Sequence, residues 1–330
     1  MASSELRRAA RLFSEVLLGL LVAFFGSSIV FGELGDLWPG GRLDRLTRFC
    51  LLLMLVTAYT ASAVGIMRRG AARDFAALRG VTDVGDDVWD GWERRFRNRR
   101  MGLVAAACGF AVGFAIDRAG SAADPMADAT SWIGLRFWAS LLNCLLFANL
   151  GLLARWSVLE IRALRAIGRR VRVSLLDRDA LAPFVRTGMR SALLWMVGTS
   201  LAVTLLLDVN APWLVLVVLA ATTTLALAAL LLPSRGLHER LRTEKQAELR
   251  WVRSEIASAR EALGDARAET HEQASRLPAL LAWEARVEGT SAWPFDAPSL
   301  FRFALLLLVP LGSWLGGALV ERAVNAWIDR

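Results

Sequence analysis

Apolar residues gather into seven long runs, at 12–32, 48–67, 102–116, 132–154, 189–207, 213–232 and 300–320, and a polar stretch at 235–290 separates the last two. A helix needs about 20 apolar residues to cross ~30 Å of hydrocarbon, so each run is near the length of a membrane span. The pattern predicts an all-α, polytopic helical membrane protein with about seven transmembrane helices. It divides into a transmembrane domain at 1–233, a cytoplasmic helical or coiled-coil block at 234–297 and a C-terminal transmembrane helix within 298–330. The third run is the shortest. It ends at Asp117 and Arg118, and to span it must tilt little, thin the bilayer, or let Arg100 and Arg118 snorkel to the two interfaces.

Within the polar block, Leu249, Val252, Ile256, Ala259, Leu263 and Ala266 step by three and four, the a/d repeat of a coiled coil. The repeat is short and rich in alanine. With Gly264 in its middle it fits a helical hairpin bending at Gly264-Asp265, or a loose bundle of several copies, better than a long zipper. A second limb through Leu277, Leu280 and Leu281 ends at Trp293-Pro294-Phe295, which returns the chain to the membrane. The fifth and sixth spans are joined by the short turn at 208–212 and form an antiparallel hairpin. Small residues at four-residue spacing, Gly109 and Gly113 after Ala105 and Gly312 with Gly316, mark close helix packing within one chain or between copies.

Hydrophobic residues make up 55% of the chain, more than the roughly 45–50% of a soluble domain. The net charge of +8 is almost all arginine and has a topological cause. Arginines crowd the segment before the first span and the loops after the second and fourth, whereas the intervening loops carry acids. By the positive-inside rule the N-terminus and the polar block are cytoplasmic, and the charge calls for no nucleic acid. The first run is long and lacks a small-x-small cleavage site, so it reads as a retained span. Cys50, Cys108 and Cys144 sit in separate spans and read as reduced thiols. Arginine and alanine bias points to a bacterial inner membrane.

Two arginine-rich connections read as interfacial helices that touch lipid headgroups, preferably anionic. In 88–100, Trp89, Trp92 and Phe96 share one face beside Arg94, Arg95 and Arg97; in 160–176 an apolar stripe from Ile161 to Leu175 lies among Arg165, Arg169 and Arg170. Plain positive-inside topology would leave the same pattern. Catalytic signatures are absent: His238 and His271 form no HExxH pair, and there is no phosphate loop and no ligand cluster for a metal or cofactor. Polar groups within spans carry the remaining signal, since an ionisable group at mid-bilayer costs at least about 2.5 kcal/mol. Glu15, Arg136, Asn143 and Asn149 are the candidates for a polar lining. Snorkelling of Glu15 and Arg136 and helix-to-helix hydrogen bonding of Asn143 are the plainer readings.

The segment from Val173 to Phe184 (VSLLDRDALAPF), Gly236-Leu237-His238-Glu239-Arg240 and the Trp293-Pro294-Phe295 return resemble bacterial polytopic membrane proteins with a similar loop, coiled region and final span. The resemblance implies architecture and brings no activity with it. Three functions fit the whole pattern. A homo-oligomeric channel or pore for small ions with a cytoplasmic assembly element leads. A non-conducting scaffold or sensor that binds a cytoplasmic protein through 235–290 follows. A secondary transporter would want inverted repeats with paired broken helices, and Pro310 breaks one span with no counterpart in the first half.

Overall fold

A computed structural model describes residues 2–30, 37, 45–80, 84–122, 134–170, 182–206, 212–264 and 270–290, with 301, 304, 305 and 312 from the last predicted span. The rest of that span, Gly316, the Trp293-Pro294-Phe295 return and the loop at 171–181 lie outside the described residues. Among the described residues eight helices run in the order α1 Ala2–Val30, α2 Arg45–Arg79, α3 Asp86–Arg97, α4 Arg99–Ala122, α5 Leu135–Gly168, α6 Ala182–Leu206, α7 Pro212–Gly264 and α8 Thr270–Gly289. No strand occurs among the described residues. Five helical stretches among the described residues are long and apolar enough to cross a membrane, at Arg7–Val30, Leu46–Arg79, Arg99–Ala119, Leu135–Gly168 and Leu216–Glu261.

The bundle is built around α2, which packs on α1, α5 and α6; α5 in turn packs on α4 and α7, and α6 runs along α7. Half of the apolar window of α2 is buried, against 6% for α4 and 11% for α1, so the last two are peripheral. Their outer faces expose Leu18, Val22 and Ile29 on α1 and Leu103, Val104 and Phe114 on α4. Apolar side chains turned outward over whole helices are stable when the surrounding solvent is itself apolar.

Small residues set the closest approach. A Cβ on Gly109 would collide with the Phe147 carbonyl, one on Gly151 with the Ala105 carbonyl, and one on Gly113 would sit 3.1 Å from the Cys144 Cα. The stripe on α4 is therefore spent on α5 of the same chain.

Between α3 and α4 the chain turns at Asn98, which leaves α3 in an extended conformation and caps α4 by accepting the Met101 N–H on its Oδ1 at 3.2 Å. Asp86 and Asp87 in the first turn of α3 and Arg94, Arg95 and Arg97 in its last complement the helix dipole.

At 53 residues α7 is about 80 Å long, far more than a bilayer needs. It passes Pro233 without ending, although a proline inside a helix removes one backbone hydrogen bond. Its polar half is covered by α8, which folds back upon it. Trp283 donates to Glu248 at 3.0 Å, Arg253 reaches Glu284 at 2.7 Å and Glu288 at 2.6 Å, and Lys245 caps the end of α8 through the Glu288 and Thr290 carbonyls. Val252, Ala259 and Val287 are buried. The polar contacts lie at the surface and fix register; of the apolar repeat, Val252 and Ala259 are buried within this chain, Leu249 and Ile256 are half-buried, and Ala266 lies outside the described residues.

Candidate functional site

The arginine-rich ends of the helices meet. Leu12 of α1 touches Gly65 of α2, Arg155 of α5 reaches the carbonyls of Arg95 and Asn98 where α3 meets α4, and Gly168 of α5 packs on Leu237 of α7. Around this junction Leu78, Trp89, Leu164, Ile167, Phe184, Leu237 and Leu241 form one core.

Beside that core lies a buried charge cluster drawn from three helices. The Arg190 guanidinium, 12% exposed, lies between the carboxylates of Asp74 and Glu160, which are 1% and 3% exposed. Its Nη1 donates to Asp74 Oδ2 at 2.5 Å and its Nη2 to Glu160 Oε1. Thr187 Oγ1 adds a hydrogen bond to Asp74 at 3.1 Å, and Ser191 Oγ one to Glu160 at 3.1 Å. On α6, Thr187, Arg190 and Ser191 are spaced three and four apart, so one helical face meets both acids. Arg73 and Arg186 approach the other Asp74 oxygen at 3.5 and 3.8 Å and offset the second negative charge. Gly70, four residues before Asp74, makes the site: a Cβ there would come within 2.6 Å of Arg190 Nε and closer still to the rest of the guanidinium. Charges removed from water hold together only as a complete set. Chemically the cluster is a clamp between α2, α5 and α6.

Next to the clamp is a cleft of about 1080 Å³ between α2, α3, α4 and α5. Phe75, Trp92, Phe96 and Trp156 form its aromatic wall. Phe96 stacks on Trp156 at 5.4 Å between centroids, and Phe75 meets Trp89 and Phe96 edge-on at 6.0 and 5.0 Å. Five arginines line it, Arg68, Arg79, Arg97, Arg99 and Arg155, against one carboxylate, Glu93. Arg79 is held by Asp86, and Arg155 by two carbonyls. The buried Trp89 indole N–H has no hydrogen-bond partner. The remaining walls, at Gly102, Leu103, Ala106 and Leu152, are apolar.

The sequence-derived candidates do not converge on one place. Glu15 stands on the outer face of α1, 65% exposed and 3.8 Å from Arg11. Asn143 donates from Nδ2 to the Gly113 carbonyl at 3.0 Å and ties α5 to α4. Arg136 is exposed near the start of α5, and Asn149 is half-buried farther along. Gly312 has open space around its Cα. Arg94 and Arg95 are exposed on α3, Arg95 lying 4.7 Å over Trp92, while Arg97 lines the cleft. Arg165, Arg169 and Arg170 are exposed, with Arg169 paired to Glu239 at 3.3 Å.

Part of each apolar stripe packs on neighbouring helices, while Val171 and Leu175 of the second lie outside the described residues. Trp89 is buried against α2, and Leu164 and Ile167 are buried against α6 and α7. Neighbouring helices compete with lipid for such a stripe, and here the neighbours take that part of it.

Asp74, Glu160 and Arg190 escaped the sequence reading. Their signal was isolation: Asp74 is the only acid between 68 and 82, and Glu160 the only one between 129 and 176. A solitary carboxylate among arginines at the end of an apolar helix needs a partner. Among the described residues no three His, Cys, Asp or Glu side chains are placed to hold a metal ion. Compared with protein-family models, curated proteins and solved structures, the chain matches none of them.

Proposed function

We propose that this chain is a non-catalytic bacterial inner-membrane protein that acts as a scaffold or sensor. Its N-terminus and the α7–α8 hairpin face the cytoplasm, and the hairpin carries a protein partner. The continuity of α7 supports this reading most directly: one helix runs from within the bundle to the tip of the polar hairpin. A helix that continues past Pro233, where one backbone hydrogen bond is missing, turns a small tilt at its base into a large displacement at its end. That base is gripped where Gly236 meets the Arg165 carbonyl and where Leu237 and Leu241 enter the junction core. The hairpin also leaves Trp251 and Leu281 about half exposed among charged residues. Large apolar side chains on a polar surface gain most from a partner's cover. The gathered arginines favour the stated orientation.

With a photoreactive amino acid at Trp251 or Leu281, irradiation of intact cells should give a discrete adduct to a different protein. The same probe at buried Val252 should give intramolecular product alone. Adducts solely to a second copy, or none from either exposed position, would overturn the partner reading. Cysteine placed at Ser258 should resist impermeant thiol reagents in intact cells; labelling there reverses the topology.

A homo-oligomeric ion channel is the second reading, and Glu15 favours it. A carboxylate about one turn into a span and turned outward, with Arg11 3.8 Å away as its neighbour in the chain, is less costly where water or a second copy also meets it. In a channel, Glu15→Gln should change ion flux into proteoliposomes while the oligomer survives. In the scaffold reading, wild type and variant both match empty liposomes.

A further inference from the structure

We infer that the cleft between α2, α3, α4 and α5 binds one phospholipid with an anionic headgroup. The inference goes beyond the scaffold reading and does not depend on it. Charge comes first. Among the described residues Arg68, Arg97 and Arg99 have no carboxylate partner, although all three line the cleft, and Glu93 is the single acid there. A phosphate supplies the acceptors that guanidinium groups pair with best.

The second observation is the Trp89 indole. It is 5% exposed, lines the same cleft and has a buried N–H with no acceptor. A buried donor left unmade costs about 1–3 kcal/mol. The nitrogen is closed off from the cleft as it stands, so an ester carbonyl below a lipid phosphate would satisfy it after the indole turns toward the cleft.

Polarity along the walls completes the argument. Arg99 opens α4, and Gly102, Leu103 and Ala106 follow it one turn at a time into the apolar part of that helix; on α5, Leu152 lies one turn deeper than Trp156. On α4 and α5 the site is basic at its mouth and apolar in depth, the polarity of an amphiphile and not of free phosphate, while on α2 Arg68 lies deeper than Ala72, Phe75 and Ala76. At about 1080 Å³ it also exceeds the roughly 300–1,000 Å³ typical of drug-sized ligands.

The test is native mass spectrometry of the full chain in mild detergent, with phosphatidylglycerol, phosphatidylethanolamine or soluble glycerol phosphate added. Wild type should retain one phosphatidylglycerol per chain at least about tenfold more strongly than phosphatidylethanolamine, since each arginine at headgroup level contributes about fivefold. The triple variant Arg68→Gln, Arg97→Gln, Arg99→Gln should lose that preference. A charge-matched control, Arg162→Gln, Arg165→Gln, Arg170→Gln, lies outside the cleft and should keep it. Gly102→Phe should block binding while leaving the bundle folded, because a Cβ there meets nothing within 4 Å; it decides the matter if the triple variant unfolds. Equal loss in the control would mean diffuse attraction to a basic surface, and glycerol phosphate binding as tightly would mean a soluble ligand. Either result, an unselective wild type, or full lipid retention by Gly102→Phe overturns the proposal.

Discussion

Replacing Arg190 by methionine should destabilise the protein by about 3–5 kcal/mol, because removal of one partner strands its buried opposite charges. Here Glu160 loses its only cation among the described residues, and Asp74 keeps only Arg73 and Arg186 at 3.5 and 3.8 Å; both carboxylates are less than 5% exposed. Thr187 and Ser191 would each still donate one hydrogen bond, too little for two carboxylates without a cation between them. The loss should appear as a lower melting temperature in detergent. The triple variant Arg190→Met, Asp74→Asn, Glu160→Gln should recover most of it, since apolar or neutral replacement of a whole buried ionic set is often close to neutral. An Arg190→Met protein as stable as wild type would mean that the three helices are held by packing alone, with the cluster reached by water.

The same cluster separates what a sequence discloses from what it withholds. Long apolar runs are legible because the thickness of hydrocarbon dictates their length, and every described one became a helix. The step of three and four in the polar block was legible too, as was the fact that Trp89, Trp92 and Phe96 share a face. What covers each face was not. The apolar step of α7 would fit a second copy of the chain as well as it fits α8, and the aromatic face of α3 would fit lipid as well as it fits Phe75 and Trp156. Periodicity gives the direction a side chain points, while its partner depends on tertiary contact. Arg190 meets Asp74 across 116 residues of chain and Glu160 across 30, and no local pattern ties such positions together. Gly70 carries even less signal, since its role is to be absent where a guanidinium lies.

The clamp, the cleft and the base of α7 share helices, which gives them a mechanical relation. Asp74 and Phe75 are consecutive on α2, one in the clamp and the other in the cleft wall. On α5, Trp156 borders the cleft, Glu160 completes the clamp one turn on, and Leu164 touches the core around Leu237 of α7 one turn beyond that. A ligand that pressed on Trp156 would therefore act on the stretch of α5 that also carries the clamp and the hairpin's base. Two discrete arrangements of that stretch would be the physical warrant for such coupling.

Gly109→Leu and Gly151→Leu should each peel α4 from the bundle. At both positions a Cβ would strike backbone, the Phe147 carbonyl in one case and the Ala105 carbonyl in the other. Backbone cannot rotate away as a side chain can, so the helices must separate, and α4 makes its principal contact with α5. Overpacking of this kind costs about 1–3 kcal/mol per site, and in an apolar solvent no hydrophobic force draws the helices back together. The chain supplies its own reporter: Cys144 is buried, and its Cα lies 3.1 Å from where a Gly113 Cβ would be, at the same interface. A membrane-permeant maleimide should therefore modify Cys144 faster in both leucine variants, while Cys50, buried among α1, α2 and α5, stays protected. Gly19→Ala and Gly26→Ala on α1, where a Cβ has nothing within 4 Å, should leave the rate unchanged. If Cys144 remains as shielded in the leucine variants as in these controls, the close α4–α5 packing is not what holds the peripheral helix in place.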